Sequence, residues 1–184
     1  MGFRKELNKI ITRKFGISCL RLQIPGNTDV KGGCGPIAVD GLIRGVLPQE
    51  AYDHCLKRGG GTDVQNLVKQ LHEISNGSPV IGLRYYSSAR GPLGVEIETE
   101  PLSHREAEAL AQRLRDGVSA GVITIMGPRE QCHIASQIGN KGAIIAIDSV
   151  KKPQVREVTF SETVRVLRRT QRRGIVIELR RLNP

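Results

Sequence analysis

The sequence predicts an α+β fold, and three observations predict it. Helical periodicity dominates the first part of the chain, with its clearest example in SHREAEALAQRLRDG, residues 103–117. Continuous or alternating apolar patterns, rich in isoleucine and valine, dominate from residue 121 to 149. The tetrapeptide Gly139-Asn140-Lys141-Gly142 lies between two of these runs and is typical of a hairpin turn. We therefore expect an N-terminal helical part packed on a mostly antiparallel sheet.

The individual elements follow from periodicity, capping residues and breakers. Ser103 with Glu106, and Thr62 with Gln65, have capping-box spacing, and Gly117 is a typical helix stop. A basic helix, SETVRVLRRTQRR, is expected to end at Gly174. Helices are predicted at 4–15, 36–46, from about 63, at 103–117 and at 161–173, and strands at 79–88, 121–126, 132–138, 143–149 and 175–179.

Length and composition indicate one domain without a metal centre. The 184 residues suffice for a single core, so residues 1–184 are interpreted as one domain. It divides into an N-terminal segment (1–26), a core (27–150) and a basic C-terminal helix and strand (151–184). The four cysteines have no metal-ligand spacing, and no cofactor is predicted. No apolar run approaches the roughly 20 residues of a membrane span, and the first 16 residues do not resemble a signal peptide.

The net charge of +10 is concentrated near the C terminus. Residues 151–184 hold ten Lys and Arg against three Glu, a net +7. This asymmetry indicates an acidic partner, either a protein, a nucleic acid or an anionic membrane, unless the helix face is simply solvated. The six aromatic residues offer few stacking platforms for single-stranded nucleic acid.

The hairpin REQCHIASQIGNKGAIIAIDSV, residues 129–150, carries His133 and Asp148 in otherwise apolar strand sequence. If Asn140 and Lys141 form the two-residue loop, His133 and Asp148 lie directly opposite each other, with Cβ atoms about 4.5–5.5 Å apart. A carboxylate there can orient the imidazole. The alternative is an ordinary polar pair on a half-exposed sheet face.

Cys34, within Gly-Gly-Cys-Gly, precedes a predicted helix whose first turn contains Pro36. A helix N-terminus favours the thiolate, and flanking glycines allow another backbone to approach the sulfur. The other cysteines fit a nucleophile less well. Cys132, for example, precedes His133 by one residue, so strand alternation directs it to the opposite face.

The order of Cys34 on a helix, His133 on a strand and Asp148 on the next strand resembles the papain-like cysteine peptidases. The nearest likeness is to bacterial papain-fold toxin and effector domains, and it covers residues 27–150. The resemblance implies that Cys34 is the nucleophile, His133 the general base and acid, and Asp148 the orienting carboxylate. It also implies a side-chain oxyanion donor before the cysteine, for which Asn27 is the candidate and Gln23 a second.

This resemblance implies a cysteine-dependent amide hydrolase that acts through a thioester. A protease, a glutamine deamidase and a transglutaminase share that intermediate, and the three residues do not distinguish them. It further implies delivery from a bacterium into the cytosol of a target cell, a protein substrate, and an acidic immunity protein on the basic C-terminal face. Two alternatives remain: a basic nucleic-acid-directed toxin domain, and a binding module without catalysis.

Overall fold

A computed structural model describes residues 63–77, 81–90, 92–127, 132–140, 142–148 and 154–182. Over these residues the chain forms three α-helices, a short 3-10 helix and a six-stranded antiparallel sheet, which confirms the α+β class. The helices predicted at 4–15 and 36–46 lie outside the described residues. The elements are α1 (Val64–Gly77), β1 (Ile81–Tyr86), the 3-10 helix (Pro92–Gly94), α2 (His104–Arg115), β2 (Ser119–Met126), β3 (His133–Asn140), β4 (Ala143–Asp148), β5 (Gln154–Val158), α3 (Phe160–Arg173) and β6 (Gly174–Arg181).

The strands lie in the order β1-β6-β2-β3-β4-β5, and every neighbouring pair is antiparallel. The C-terminal strand β6 therefore lies between β1 and β2, while β2 to β5 follow one another along the chain. Five of the six strands coincide with predicted ones. The sequence interpretation missed β5, a five-residue strand that pairs with β4.

Capping side chains define where the helices begin. Helix α2 begins after Ser103, whose side chain accepts a hydrogen bond from the Glu106 amide at 3.1 Å, as predicted. Helix α1 begins after Asp63 instead of the predicted Thr62, because the Asp63 carboxylate accepts from the amides of residues 65 and 66. Helix α3 has a complete capping box, formed by Thr159 and Glu162.

The sheet carries a hydrophobic core on each face. Helix α1 covers one face, where Leu67 and Val68 meet Ile123 and Ile177. Helices α2 and α3 cover the other, where Leu110, Leu114 and Leu167 are fully buried. Each buried leucine contributes about 1.5–3 kcal/mol of transfer free energy. Ile134, Ile145 and Ile147 are buried as predicted from the β alternation.

A buried charged cluster connects α2 to the centre of the sheet. The Glu178 side chain is 0% exposed, and Arg113 on α2 donates to both of its carboxylate oxygens, at 2.8 and 3.0 Å. Tyr86 donates to the same carboxylate at 2.9 Å, and so does Ser119. Burial acts to raise the pKa of Glu178, but the hydrogen bonds from Arg113 and Ser119 and the positive charge of Arg113 outweigh it and lower that pKa. The ionised carboxylate on β6 thus connects that strand to α2, β1 and β2.

Candidate active site

Two of the four predicted site residues lie in the part of the chain that the structure describes. His133 is the first residue of β3, and Asp148 is the last residue of β4. Because β3 and β4 are antiparallel neighbours, both residues lie at the end of the hairpin away from its turn. Cys34 and Asn27 lie outside the described residues, as does the second oxyanion candidate, Gln23.

The register of this hairpin differs from the predicted one. Asn140 pairs with Ala143, so the ladder ends at this pair instead of at Gly139 and Gly142, the pair that the predicted loop requires. Gly142 has φ +85°, a conformation that favours glycine, and this fixes the turn one residue later than predicted. The prediction that His133 and Asp148 are directly opposite is therefore wrong.

The observed register leaves the pair two positions apart along the ladder. The pair farthest from the turn, Ser136 and Ile147, places Asp148 opposite Ala135 when the ladder is extended by one residue. Residues in such a diagonal relation are about 7–8 Å apart, which long side chains can still span. Asp148 itself pairs with Gln154 on its other side. His133 and Asp148 thus remain neighbours, but as a diagonal pair.

His133 lies on the side of the sheet that α2 and α3 cover. It pairs with Met126 on β2, and Met126 pairs in turn with Gly174, the first residue of β6. With neighbouring strands about 4.8 Å apart, Gly174 and His133 are about 10 Å apart. Cys132 packs against the core on the opposite face, as the strand alternation predicted. The imidazole is half-buried.

A small cavity lies further along this face. Its volume is about 140 Å³, and Ala135 and Gln137, two and four residues beyond His133 on β3, form part of its wall. Arg156 and Glu162 contribute charged groups and contact each other at 3.3 Å. The cavity therefore has about the size of one amino-acid side chain, and its lining combines polar and apolar residues. The sequence interpretation did not identify it, since its wall combines residues of four strands, β2 to β5, with residues of α3.

A larger, basic groove lies between α2 and α3. Its volume is about 690 Å³. We name it the arginine groove. His104 and Glu108 of α2 form one side, and Phe160 and Val164 are its apolar residues. Five guanidinium groups of α3 line the rest: Arg165, Arg168, Arg169, Arg172 and Arg173. The sequence showed the basic helix, but not that a groove runs beside it.

Both described histidines outside the hairpin lie on the surface, as predicted for His72 and His104. His104 contacts Glu108 at 3.3 Å, and its Nδ1 lies 3.5 Å from Arg168. The third, His54, lies outside the described residues. No group of three potential metal-binding side chains occurs within the described ranges. None of the helices in those ranges is long and apolar enough to cross a membrane.

Comparison with protein-family models and with curated proteins finds no significant match to this chain.

Proposed function

We propose that the chain is a papain-like, cysteine-dependent amide hydrolase that uses Cys34, His133 and Asp148. The observation that carries the proposal is the placement of His133 and Asp148 at the same end of one hairpin, within two register positions. The His133 side chain is half-buried, and its Nε2 atom is buried. The proposal expects residues 27–47 to bring the Cys34 sulfur to this end of the sheet.

In the proposed reaction, His133 accepts the thiol proton of Cys34 as the sulfur attacks an amide carbonyl carbon. His133 then donates that proton to the leaving nitrogen, the C–N bond breaks, and a thioester remains. Water hydrolyses the thioester and regenerates the thiol. The Cys34 backbone N–H, with the Asn27 side chain, would stabilise the oxyanion, and each such donor contributes about 3 kcal/mol.

The register correction changes what is expected of Asp148. A directly opposite carboxylate would start about 4.5–5.5 Å from the histidine, Cβ to Cβ, whereas a diagonal partner is about 7–8 Å away and reaches the imidazole in fewer rotamers. We therefore expect Asp148→Asn to reduce activity less severely than His133→Ala. The 140 Å³ cavity beyond His133 is the candidate pocket for a substrate side chain.

Alkylation with iodoacetamide at pH 6 tests the thiolate–imidazole pair. The proposal predicts that Cys34 reacts selectively among the four cysteines, and that His133→Ala removes this selectivity. His72→Ala is the matched control, because His72 is exposed and lies on α1, and it should leave the labelling unchanged. Equal, slow labelling of all four cysteines in the wild type would refute the catalytic proposal and favour the binding module.

The type of reaction is tested with a host proteome exposed to the wild type or to Cys34→Ala. New peptide termini indicate proteolysis, and a mass increase of about one dalton on glutamine indicates deamidation. Cross-linked amines indicate transglutamination. If all three changes are absent while Cys34 is selectively alkylated, the amide-hydrolase proposal is wrong, although the reactive thiol stands.

A further inference from the structure

The arginine groove concentrates positive charge that the described residues do not neutralise. Within the described ranges, none of its five arginines takes part in an ion pair. The nearby carboxylates have other partners: Glu108, which itself lines the groove, contacts His104, and Glu162 holds the capping box and contacts Arg156. Arg168 Nε is buried and has no partner among the described residues. The groove therefore has several charged donors with no acceptor inside the described protein.

These guanidinium groups form a row along the helix. From Arg165 to Arg173 the axis of α3 rises about 12 Å, and the five arginines recur at spacings of three and four residues. Like charges at these spacings destabilise a helix by about 0.2–0.5 kcal/mol per pair. A row of carboxylates with the same spacing would remove this repulsion and provide bidentate acceptors.

The shape of the groove favours a peptide over a nucleic acid. A helix that enters the major groove of duplex DNA must project from the protein surface. Helix α3 instead packs on the sheet and on α2, so its arginines line a recess. For a single strand, stacking on aromatic rings is the expected source of affinity. Phe160 is the aromatic residue in the lining, and the Arg115 guanidinium already covers its ring at 5.3 Å from the centroid.

We propose that the arginine groove binds an acidic helical segment of a partner protein, with Asp or Glu side chains at spacings of three and four residues along one face. The carboxylates face the arginine row, and apolar residues beside them contact Phe160 and Val164. This inference is independent of the proposed cysteine chemistry, because no groove residue belongs to the catalytic set. Both a protein inhibitor and a protein substrate can carry such a segment.

The test uses two labelled synthetic peptides of about 15 residues, a length at which helices become marginally stable. The first carries its glutamates along one helical face, and the second has the same composition with the glutamates distributed around the helix. Fluorescence anisotropy measures binding of each to the wild-type chain. We expect the first peptide to bind at least tenfold more tightly than the second.

Charge reversal then assigns binding to the groove. The triple variant Arg165→Glu, Arg169→Glu, Arg172→Glu should lose binding at least a hundredfold, whereas Lys69→Glu, an exposed reversal on α1, should retain it. Circular dichroism verifies that the triple variant is folded, and Arg169→Gln alone provides a milder variant with a partial loss. Binding that is unchanged in the triple variant, or equal for the two peptides, overturns the proposal.

A short DNA duplex and a single-stranded RNA of equal charge are tested in parallel at physiological salt. If either binds more tightly than the first peptide and is lost in the same triple variant, the groove is a nucleic-acid site and the peptide proposal is overturned. Cys34→Ala should bind the peptide as the wild type does. If Cys34→Ala has no activity but still binds the peptide, the two proposals are tested separately. A failure of the hydrolase proposal then leaves the peptide proposal intact.

Discussion

Replacing Arg113 by methionine leaves the buried carboxylate of Glu178 without the cation that contacts both of its oxygens. Arg113 is 17% exposed and Glu178 is 0% exposed, so water cannot simply replace the guanidinium. Methionine retains much of the apolar stem and adds no polar group. The substitution therefore tests the electrostatic part of the contact more than the packing.

The magnitude follows from the contacts. Two hydrogen bonds to a charged group are lost, each of which contributes about 1.5–3 kcal/mol. Tyr86 and Ser119 still donate to the carboxylate, and Arg180 lies 3.8 Å away, so part of the loss is compensated. Breaking a buried ion pair typically costs about 3–5 kcal/mol. We expect a decrease of about 3 kcal/mol in the free energy of unfolding, or a Tm lower by about 6–12 °C.

The loss should also depend on pH. In the wild type the pKa of Glu178 is lowered, so its contribution to stability is present above the usual glutamate pKa and is lost as pH falls through the folded-state value. Without Arg113, burial is the largest remaining cause acting on Glu178, so we expect the pKa of Glu178 to lie higher than in the wild type. The variant then gains less stability than the wild type as pH rises above the usual glutamate pKa. The difference between the two proteins should therefore be smaller at pH 5 than at pH 7.

Urea unfolding of both proteins at pH 5 and pH 7, followed by far-ultraviolet circular dichroism, measures these differences. Arg105→Met is the matched control, because Arg105 is an exposed arginine on the same helix, and its effect should stay within about 0.5 kcal/mol. A loss below about 1 kcal/mol for Arg113→Met at pH 7, or an equal loss at both pH values, would refute the account of the cluster.

Three further predictions concern packing, capping and ionisation. Gly139→Ala should cost more than about 3 kcal/mol in chemical denaturation, because its Cβ would lie 1.7 Å from the Leu114 carbonyl oxygen. Gly82→Ala, where a flexible leucine side chain at 3.0 Å is the nearest atom, should cost less than about 1 kcal/mol. Thr159→Ala should cost about 1 kcal/mol through loss of the α3 capping box, measured in the same way. Burial, reinforced by the charge of Glu178, raises the pKa of Tyr86 to about 12. The free energy of unfolding should therefore fall between about pH 10 and 12, as measured by urea unfolding. Ultraviolet titration should show Tyr86 ionising near pH 12, and ionisation at the ordinary tyrosine pKa would contradict this.

The α+β class and most elements could be predicted because periodicity and capping are local properties of the chain. Helix α2 shows this well: its apolar spacing, its Ser103 cap and the stop at Gly117, which has φ +76°, all lie within 15 residues. Strand β5 was missed because Gln154–Val158 contains two charged residues and is stabilised by pairing with β4. An edge strand of this kind has little local signal.

Register and burial depend on interactions between distant residues, and there sequence reasoning was less successful. The predicted turn used Asn140, whereas the observed turn has its positive φ at Gly142. This difference moves the pairing of β3 with β4 by two positions relative to the predicted register. Glu178 lies in an otherwise apolar strand, and its ionic partner Arg113 is 65 positions earlier in the chain, so no local pattern connects the two residues. The arginine groove likewise could not be predicted, because it forms between α2 and α3, and the sequence does not show that these two helices lie side by side.

Gly174, Met126 and His133 lie side by side on neighbouring strands, and this row connects the arginine groove to the candidate catalytic histidine. Arg172 and Arg173 occupy the last turn of α3, immediately before Gly174, so the C-terminal end of the arginine groove and the candidate catalytic histidine lie at the same end of the sheet. An extended chain spans at most about 3.3–3.6 Å per residue, so about three residues cover the 10 Å between Gly174 and His133. If the acidic segment belongs to a substrate, the amide that reacts lies only a few residues beyond that segment. If it belongs to an inhibitor, the same geometry lets the inhibitor bind the groove and cover His133 at once.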